Sequence, residues 1–482
     1  MNHRRLVGID LGIASAHTVR ILDGEGTTIA KRKCWPTKES LAEIEQAALE
    51  GCPPGTMLEV VVEPTGPAWL PLAAFFTGRG HRVFRVSSQK AADLRRFLSR
   101  HTKTNGIDAD TLARLPLFDP DGLRPLVLPD ADAAALDRRV RAADRLTKET
   151  SLHKIRIKDL VRQLLPMTPL TGELGLADLA VLERWGNPRE LVKAGETRLC
   201  ALIAKVSHGH QGLDRARQWI ESAQASLALY GDSPAVAFSD LAAEVATEVR
   251  IIRMLQSELA RHEPERERRY MVVDPDQLAR SLPGVATVGA PALVACLGDP
   301  ARFTSAKAFR SFTGLTPKAS ETGETDRKGQ PMSKAGSSLL RTTLVRAADN
   351  ARRVDPQLAR IYHQQMTERG KDHLGALCVV AANLAERAWV VLRRRSPYVL
   401  RDTDGTPVTH EEAKAIIAER FTVSADVRAR RRSKKVGKAP QKVPTGHLES
   451  HARGVDKRGD LPRQSSSVQG HATVKQLVEA AP

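Results

Sequence analysis

The hydrophobic pattern begins with short apolar runs. Residues 6–11, 18–22 and 28–32 follow one another closely and read as three strands. Residues 41–49 place apolar side chains at helical spacing. Residues 57–63, Met-Leu-Glu-Val-Val-Val-Glu, are β-rich and stop at Pro64. A helix over 67–77, a strand over 81–86 and a helix over 89–98 then alternate. Three early strands followed by strand–helix alternation predict a mixed sheet with helices on both faces. From 130 to 270 the chain is rich in Ala, Leu, Arg and Glu, with apolar residues three and four apart, most extensively over 133–165 and 241–261. This predicts a long antiparallel helical, coiled-coil-like arm. Residues 278–395 read as a compact, mainly helical unit, and beyond Asp402 the chain turns polar. The expected fold is therefore α/β plus all-α, in four parts: 1–125, 126–275, 276–400, and a polar basic tail over 401–482 expected to be disordered.

Composition narrows the class. Of 482 residues, 41% are hydrophobic and 27% charged, as in globular chains. No apolar run reaches the roughly 18–20 residues of a membrane span, and the N-terminus lacks the apolar stretch of a secretory signal. The five cysteines are scattered and odd in number, without metal-ligand spacing. That argues against a disulfide framework or a zinc site and for a reducing cytoplasm. Lys and Arg number 74 against 56 Asp and Glu, a formal +18, which calls for a polyanionic partner. Residues 428–442 hold eight basic residues and no acid, a source of sequence-independent affinity for RNA or DNA, yet most of the excess charge lies elsewhere. With 4% aromatic residues, backbone contact should outweigh base stacking.

Two groups of residues carry candidate chemistry. Asp10 ends the run Leu6-Val7-Gly8-Ile9-Asp10, and Glu63 ends Val60-Val61-Val62-Glu63. Carboxylates at the ends of neighbouring strands repel unless a cation joins them. Mg²⁺ held by such carboxylates is the usual means of activating oxygen against a phosphodiester. Asn105 and Asp108, spaced i, i+3, share one helix face, whereas Asp110 points elsewhere. The plainer account of Asn105 or Asp108 is a helix cap. The second group is a Gly- and hydroxyl-rich stretch, residues 314–341, holding Ser320, Thr322 and the cations Lys318, Arg327, Lys328, Lys334 and Arg341. A Ser or Thr there can attack phosphorus where cations withdraw charge. The plainer account is a solvated loop. Leu282-Pro283-Gly284-Val285 resembles a helix-hairpin-helix turn, in which a glycine lets backbone N–H groups approach phosphate.

Taken together, these motifs resemble the bridge-RNA-guided insertion-sequence transposases, which are related to the Piv DNA invertases. The combination is Gly-Ile-Asp-Leu-Gly, Val-Glu-Pro-Thr-Gly, Lys-Thr-Asn-Gly-Ile-Asp-Ala, Leu-Pro-Gly-Val, Phe-Thr-Gly-Leu-Thr-Pro and Ser-Lys-Ala-Gly-Ser. It covers roughly 6–115 and 280–395. The resemblance implies an N-terminal RNase H/RuvC-like DEDD domain and a C-terminal transposase domain with a catalytic serine. It implies Asp10, Glu63 and Asp108 as acids, Mg²⁺ as cofactor, and donor and target DNA as substrates. It also implies a noncoding guide RNA, no membrane, and half-sites drawn from different subunits of a homodimer or tetramer. Two positions depart from the pattern. Asn105 stands where the family has its third acid. Thr322 stands in the register of the serine nucleophile, with Ser320 two residues earlier as the other candidate.

Three other readings make distinct demands. An actin-like kinase needs a second glycine-rich phosphate loop, which the later sequence lacks. A decayed, binding-only transposase would explain Asn105 and Thr322. A junction-resolving nuclease would use the acids alone.

Overall fold

The computed structural model describes residues 4–64, 66–98, 104–170, 172–231, 233, 235–318, 321–322, 325–326 and 330–431. The first hundred residues form β1 (Arg5–Asp10), β2 (His17–Leu22), β3 (Thr28–Cys34), α1 (Lys38–Leu49), β4 (Leu58–Val62), α2 (Trp69–Gly78), β5 (Arg82–Arg85) and α3 (Ser88–Leu98), with α4 (Asn105–Phe118) following. The strand order is β3-β2-β1-β4-β5. Short links make β1, β2 and β3 antiparallel, and the α1 crossover makes β4 parallel to β1. Side-chain alternation loads both faces. Val7, Ile9, Val60 and Val62 share a core with Leu41, Ile44, Leu72 and Phe76 of α1 and α2. On the other face, Leu6 meets Ala113, and Val61 meets Leu112 and Leu115 of α4. The expected mixed sheet with helices on both faces is present.

The arm consists of α5 (Ala131–Leu164), α6 (Leu176–Arg184), α7 (Pro188–Val206), α8 (Leu213–Tyr230) and α9 (Phe238–Val273). Arg269 with Asp132, Arg139 with His262 and His153 with Glu248 pair across α5 and α9. Positions rise on one helix as they fall on the other, so the pair is antiparallel without a register slip. At its tip, Ile157, Val161, Val245, Val249, Ile252 and the fully buried Trp219 make a separate core. Each such aliphatic contributes about 1.5–3 kcal/mol by burial. At its base, Leu136 and Val140 of α5 and Tyr270 of α9 belong to the core of the C-terminal unit. The arm is therefore rooted in that unit.

The C-terminal unit comprises α10 (Leu278–Ser281), α11 (Gly289–Leu297), a 3₁₀ turn (Pro300–Arg302), α12 (Ala306–Thr313), β6 (Glu321–Thr322), β7 (Thr325–Asp326), α13 (Ser338–Ala351), α14 (Pro356–Thr367), α15 (His373–Arg394), α16 (His410–Arg420) and α17 (Ala425–Arg430). Among the described residues, α15 alone is long and apolar enough to cross a membrane. Its Leu377, Val380, Leu384, Ala388 and Val391 instead fill the core of this unit. Residues 401–431, expected to belong to a disordered tail, are folded. Thr409 and Glu412 close a capping box on α16, Ala413 is fully buried, and Val423 joins the core. One small apolar face is enough to dock a helix that is otherwise polar. Residues 432–482, and with them most of the basic run, lie outside the described residues.

Candidate active site

Strand pairing brings the first two acids together. Ile9 of β1 is in register with Val62 of β4, so Asp10 and Glu63 occupy the next position at the ends of adjacent parallel strands. Such strands lie about 4.8 Å apart. Leu6 and Val61 face α4, and the two-residue alternation carries Asp10 and Glu63 to that same side.

The placement of α4 follows from Gly8. A Cβ there would lie well under 3.0 Å from the Ala109 carbonyl oxygen and the Ala113 nitrogen, so the helix backbone rests directly on β1. Ala113 sits beside Leu6, and the Arg4 guanidinium donates to the Pro116 carbonyl at 3.2 Å. The helix thus runs antiparallel to β1, and its first turn arrives at the edge that carries Asp10. Thr104 caps it, its hydroxyl accepting from the Ile107 N–H at 3.2 Å, which removes the cap as the explanation for Asn105 and Asp108. The helix dipole favours the Asp108 carboxylate in that first turn.

Two arginines border this turn, and no local pattern in the sequence singles them out. Arg95 of α3 donates to Asp108 Oδ1 at 2.9 Å, with the two side chains 23% and 17% exposed. The Arg20 guanidinium lies against Gly106. Asp110 pairs within α4, accepting from Arg114 Nε at 2.7 Å, and Arg114 sits beside Gly26 in the β2–β3 turn. His17 secures the loop after Asp10: its Nδ1 accepts from the Gly12 N–H at 3.1 Å, and burial lowers its pKa. Its Nε2 has no hydrogen-bond partner among the described residues.

The oxygen donors of Asp10, Glu63, Asp108 and Asn105 suit a hard divalent ion. Among the described residues, however, no three acidic, His or Cys side chains stand together as a ready ion-binding group. Arg95 stands as an internal counter-cation to Asp108. Arg95→Ala is therefore expected to tighten Mn²⁺ binding by about fivefold in titration calorimetry. That corresponds to about 1 kcal/mol for a charge-assisted bond, discounted for partial exposure. An unchanged affinity would show that Asp108 takes no part in holding the ion.

The hydroxyl-rich stretch is a hairpin at its base. The Lys318 N–H donates to Pro331 O at 2.9 Å, Ser333 N–H to Thr316 O at 2.8 Å, and Lys334 N–H to Gly314 O at 3.1 Å. Farther out, Glu321 pairs with Asp326 and Thr322 with Thr325 in β6 and β7. Ser320, Arg327 and Lys328 lie outside the described residues. Lys318 is exposed. Arg341 is engaged in the hairpin base, its Nη1 donating to the carbonyls of Lys334 at 3.1 Å and Gly336 at 2.5 Å. Gly284 has φ 75°, and a Cβ there would run into the Ala347 carbonyl of α13. Packing on α13 thus accounts for this glycine without any phosphate contact.

The chain thus joins a sheet with acids at adjacent strand ends, through a helical arm, to a helical unit with a hairpin. Comparison with known proteins places this architecture among transposases. A family model described as a transposase, of the DEDD type of IS110 elements, matches residues 7–166. One described as the transposase IS116/IS110/IS902 family matches residues 276–364. Both matches are to transposases of IS110-type elements, and together they cover about half of the chain. It is 25% identical over 407 residues to an insertion element IS110 protein of Streptomyces coelicolor, spanning 82% of this chain and 95% of that one. It is also 32% identical over 144 residues to the transposase for insertion sequence element IS1328 of Yersinia enterocolitica, spanning 27% of this chain and 40% of that one.

Proposed function

We propose that the protein moves an insertion sequence by cutting and rejoining DNA through a hydroxyl on the 314–334 hairpin, assisted by Mg²⁺ at Asp10, Glu63, Asp108 and Asn105. The observation that carries this reading is the register of β1 and β4, which sets Asp10 beside Glu63 on the side where α4 begins. Bound there, Mg²⁺ would supply positive charge to phosphoryl oxygens. The chain's own groups do the rest. The oxygen of Ser320 or Thr322 forms a bond to phosphorus as the bond from phosphorus to the neighbouring deoxyribose oxygen breaks. The hydroxyl proton passes to a base, and the departing oxygen takes one up. Attack by a second DNA hydroxyl on the resulting phosphoester reverses the linkage and completes strand transfer. Lys318 and Lys334, with Arg327 and Lys328, supply cations to the phosphates. The family resemblance extends the proposal to a noncoding guide RNA and to a homo-oligomer in which different subunits provide the two half-sites. Site choice would then rest mainly on base pairing.

The test is recombination between a donor-junction plasmid and a target plasmid in the presence of the element's flanking noncoding RNA. Ser320→Ala and Thr322→Ala together are expected to reduce recombinants to background, and the single variants name the nucleophile. Strand cleavage that persists in the double variant would favour a junction-resolving nuclease using the acids alone. A wild type that binds DNA yet never recombines would favour a decayed, binding-only protein.

A further inference from the structure

Three arginines meet where the sheet adjoins the C-terminal helices. Arg85 ends β5, its guanidinium 4.6 Å from the centroid of the Trp69 ring. Arg302 ends the 3₁₀ turn, its guanidinium 4.6 Å from the Phe303 centroid and 4.7 Å from that of Phe312. Arg124 lies on the segment alongside β5, where the Leu126 N–H donates to Val83 O at 2.7 Å. Its Nη1 reaches the Arg302 carbonyl at 3.4 Å. The support is rigid. Phe303 packs edge-on against Phe309, with ring centroids 5.2 Å apart, and Trp389 Nε1 donates to Pro300 O at 2.9 Å.

All three arginines are exposed, and none forms an ion pair among the described residues. The acid beside them is Asp299, whose Oδ1 already accepts from the Ala301 N–H at 2.8 Å. Arg302 Nη2 has a long contact of 3.5 Å with the Cys296 carbonyl. Although Arg302 is exposed as a whole, desolvation of its guanidinium, which lies against the Phe303 and Phe312 rings, and then the charge of Arg85, lower its pKa against the pull of Asp299. Guanidinium groups gathered in this way, each braced by an aromatic face or a backbone carbonyl, present N–H forks without a resident anion. Phosphate fits such forks in bidentate fashion. Arg85 is in register with Val62 and lies over Trp69, so it stands at the strand end next to Glu63 but on the face that packs against α1 and α2.

We propose that Arg85, Arg124 and Arg302 form a phosphate clamp that holds a nucleic-acid strand where the β5 edge of the sheet adjoins the C-terminal helices. The clamp rests on the DNA-acting reading above, and it is distinct from the hairpin and from the acids.

Fluorescence anisotropy of the full chain with a labelled single-stranded DNA, its duplex and an RNA hairpin tests the clamp. The variant carrying Arg85→Ala, Arg124→Ala and Arg302→Ala is expected to bind at least one ligand on the order of tenfold more weakly at physiological salt. The slope of log affinity against log salt should fall by about 0.7 per lost contact on a single strand, or about 0.9 on a duplex. The ligand that shows the loss is the strand the clamp takes. Arg85→Ala alone, at an exposed strand end, gives the same reading in miniature should the triple variant misfold. Affinity and slope equal to wild type for all three ligands would overturn the clamp. A wild type that binds none of them would overturn the DNA-acting reading itself.

Discussion

Asp10→Ala is expected to reduce recombination by about a thousandfold or more while leaving the melting temperature close to wild type. Asp10 closes β1 and stands in register with Glu63. In the proposed reaction it is the acid contributed by the central strand. Stabilising charge on a transferring phosphoryl group is worth several kcal/mol, and each 1.4 kcal/mol is a factor of ten in rate. Asp110→Ala is the matched control. Its carboxylate is bound to Arg114 one turn along the same helix, an exchange worth a few tenths of a kcal/mol. Recombinants counted for both variants against wild type decide the matter. An Asp10→Ala protein that still recombines would remove the acidic site from the mechanism.

The second large effect is one of packing. Gly8→Ala should destabilise the protein by about 3 kcal/mol, the upper part of the usual overpacking range. The atoms in its way are backbone atoms of α4, which cannot swing aside as a side chain would. That corresponds to a fall of roughly 3 °C in melting temperature for a unit of this size. The shift would also carry Asp108 away from Asp10 and Glu63, so Mn²⁺ affinity should drop in the same variant. Gly172→Ala, with open space around its added methyl group, should change neither quantity. Thermal unfolding followed by circular dichroism makes the comparison. A Gly8→Ala protein melting within a degree of wild type would mean that α4 does not rest on β1 as described.

The motif beginning Gly8-Ile9-Asp10 therefore joins two requirements in three residues. The glycine admits the helix, and the acid two positions on emerges on the same side. This explains why the placement of Asp10 and Glu63 at adjacent strand ends was legible in the sequence. Asp10 and Glu63 each close an apolar run, and a run of that kind that stops on an acid fixes both the strand and its end. Helical spacing likewise disclosed α5 and α9, because a long arm buries one stripe over many turns.

What stayed hidden depended on partners distant in the chain. Arg95 sits in a different helix from Asp108, and nothing near either residue marks the pair. The hairpin at 314–334 looked like a loop because its ladder is made by backbone groups of Gly, Thr, Pro and Lys. Such a ladder needs no apolar alternation. The helices after residue 401 were missed for want of apolar residues, although Thr409-x-x-Glu412 is a readable start signal. The phosphate clamp draws one arginine from each of three separated segments, and no window of sequence contains it.

The claim that a hydroxyl of this chain becomes covalently joined to DNA is open to direct measurement. Labelled donor DNA, guide RNA, Mg²⁺ and wild-type protein would be mixed, denatured and resolved by electrophoresis, and any adduct digested and read by mass spectrometry. The account predicts a protein–DNA adduct on Ser320 or Thr322 that disappears in Asp10→Ala. Cleaved DNA with no protein attached would contradict it.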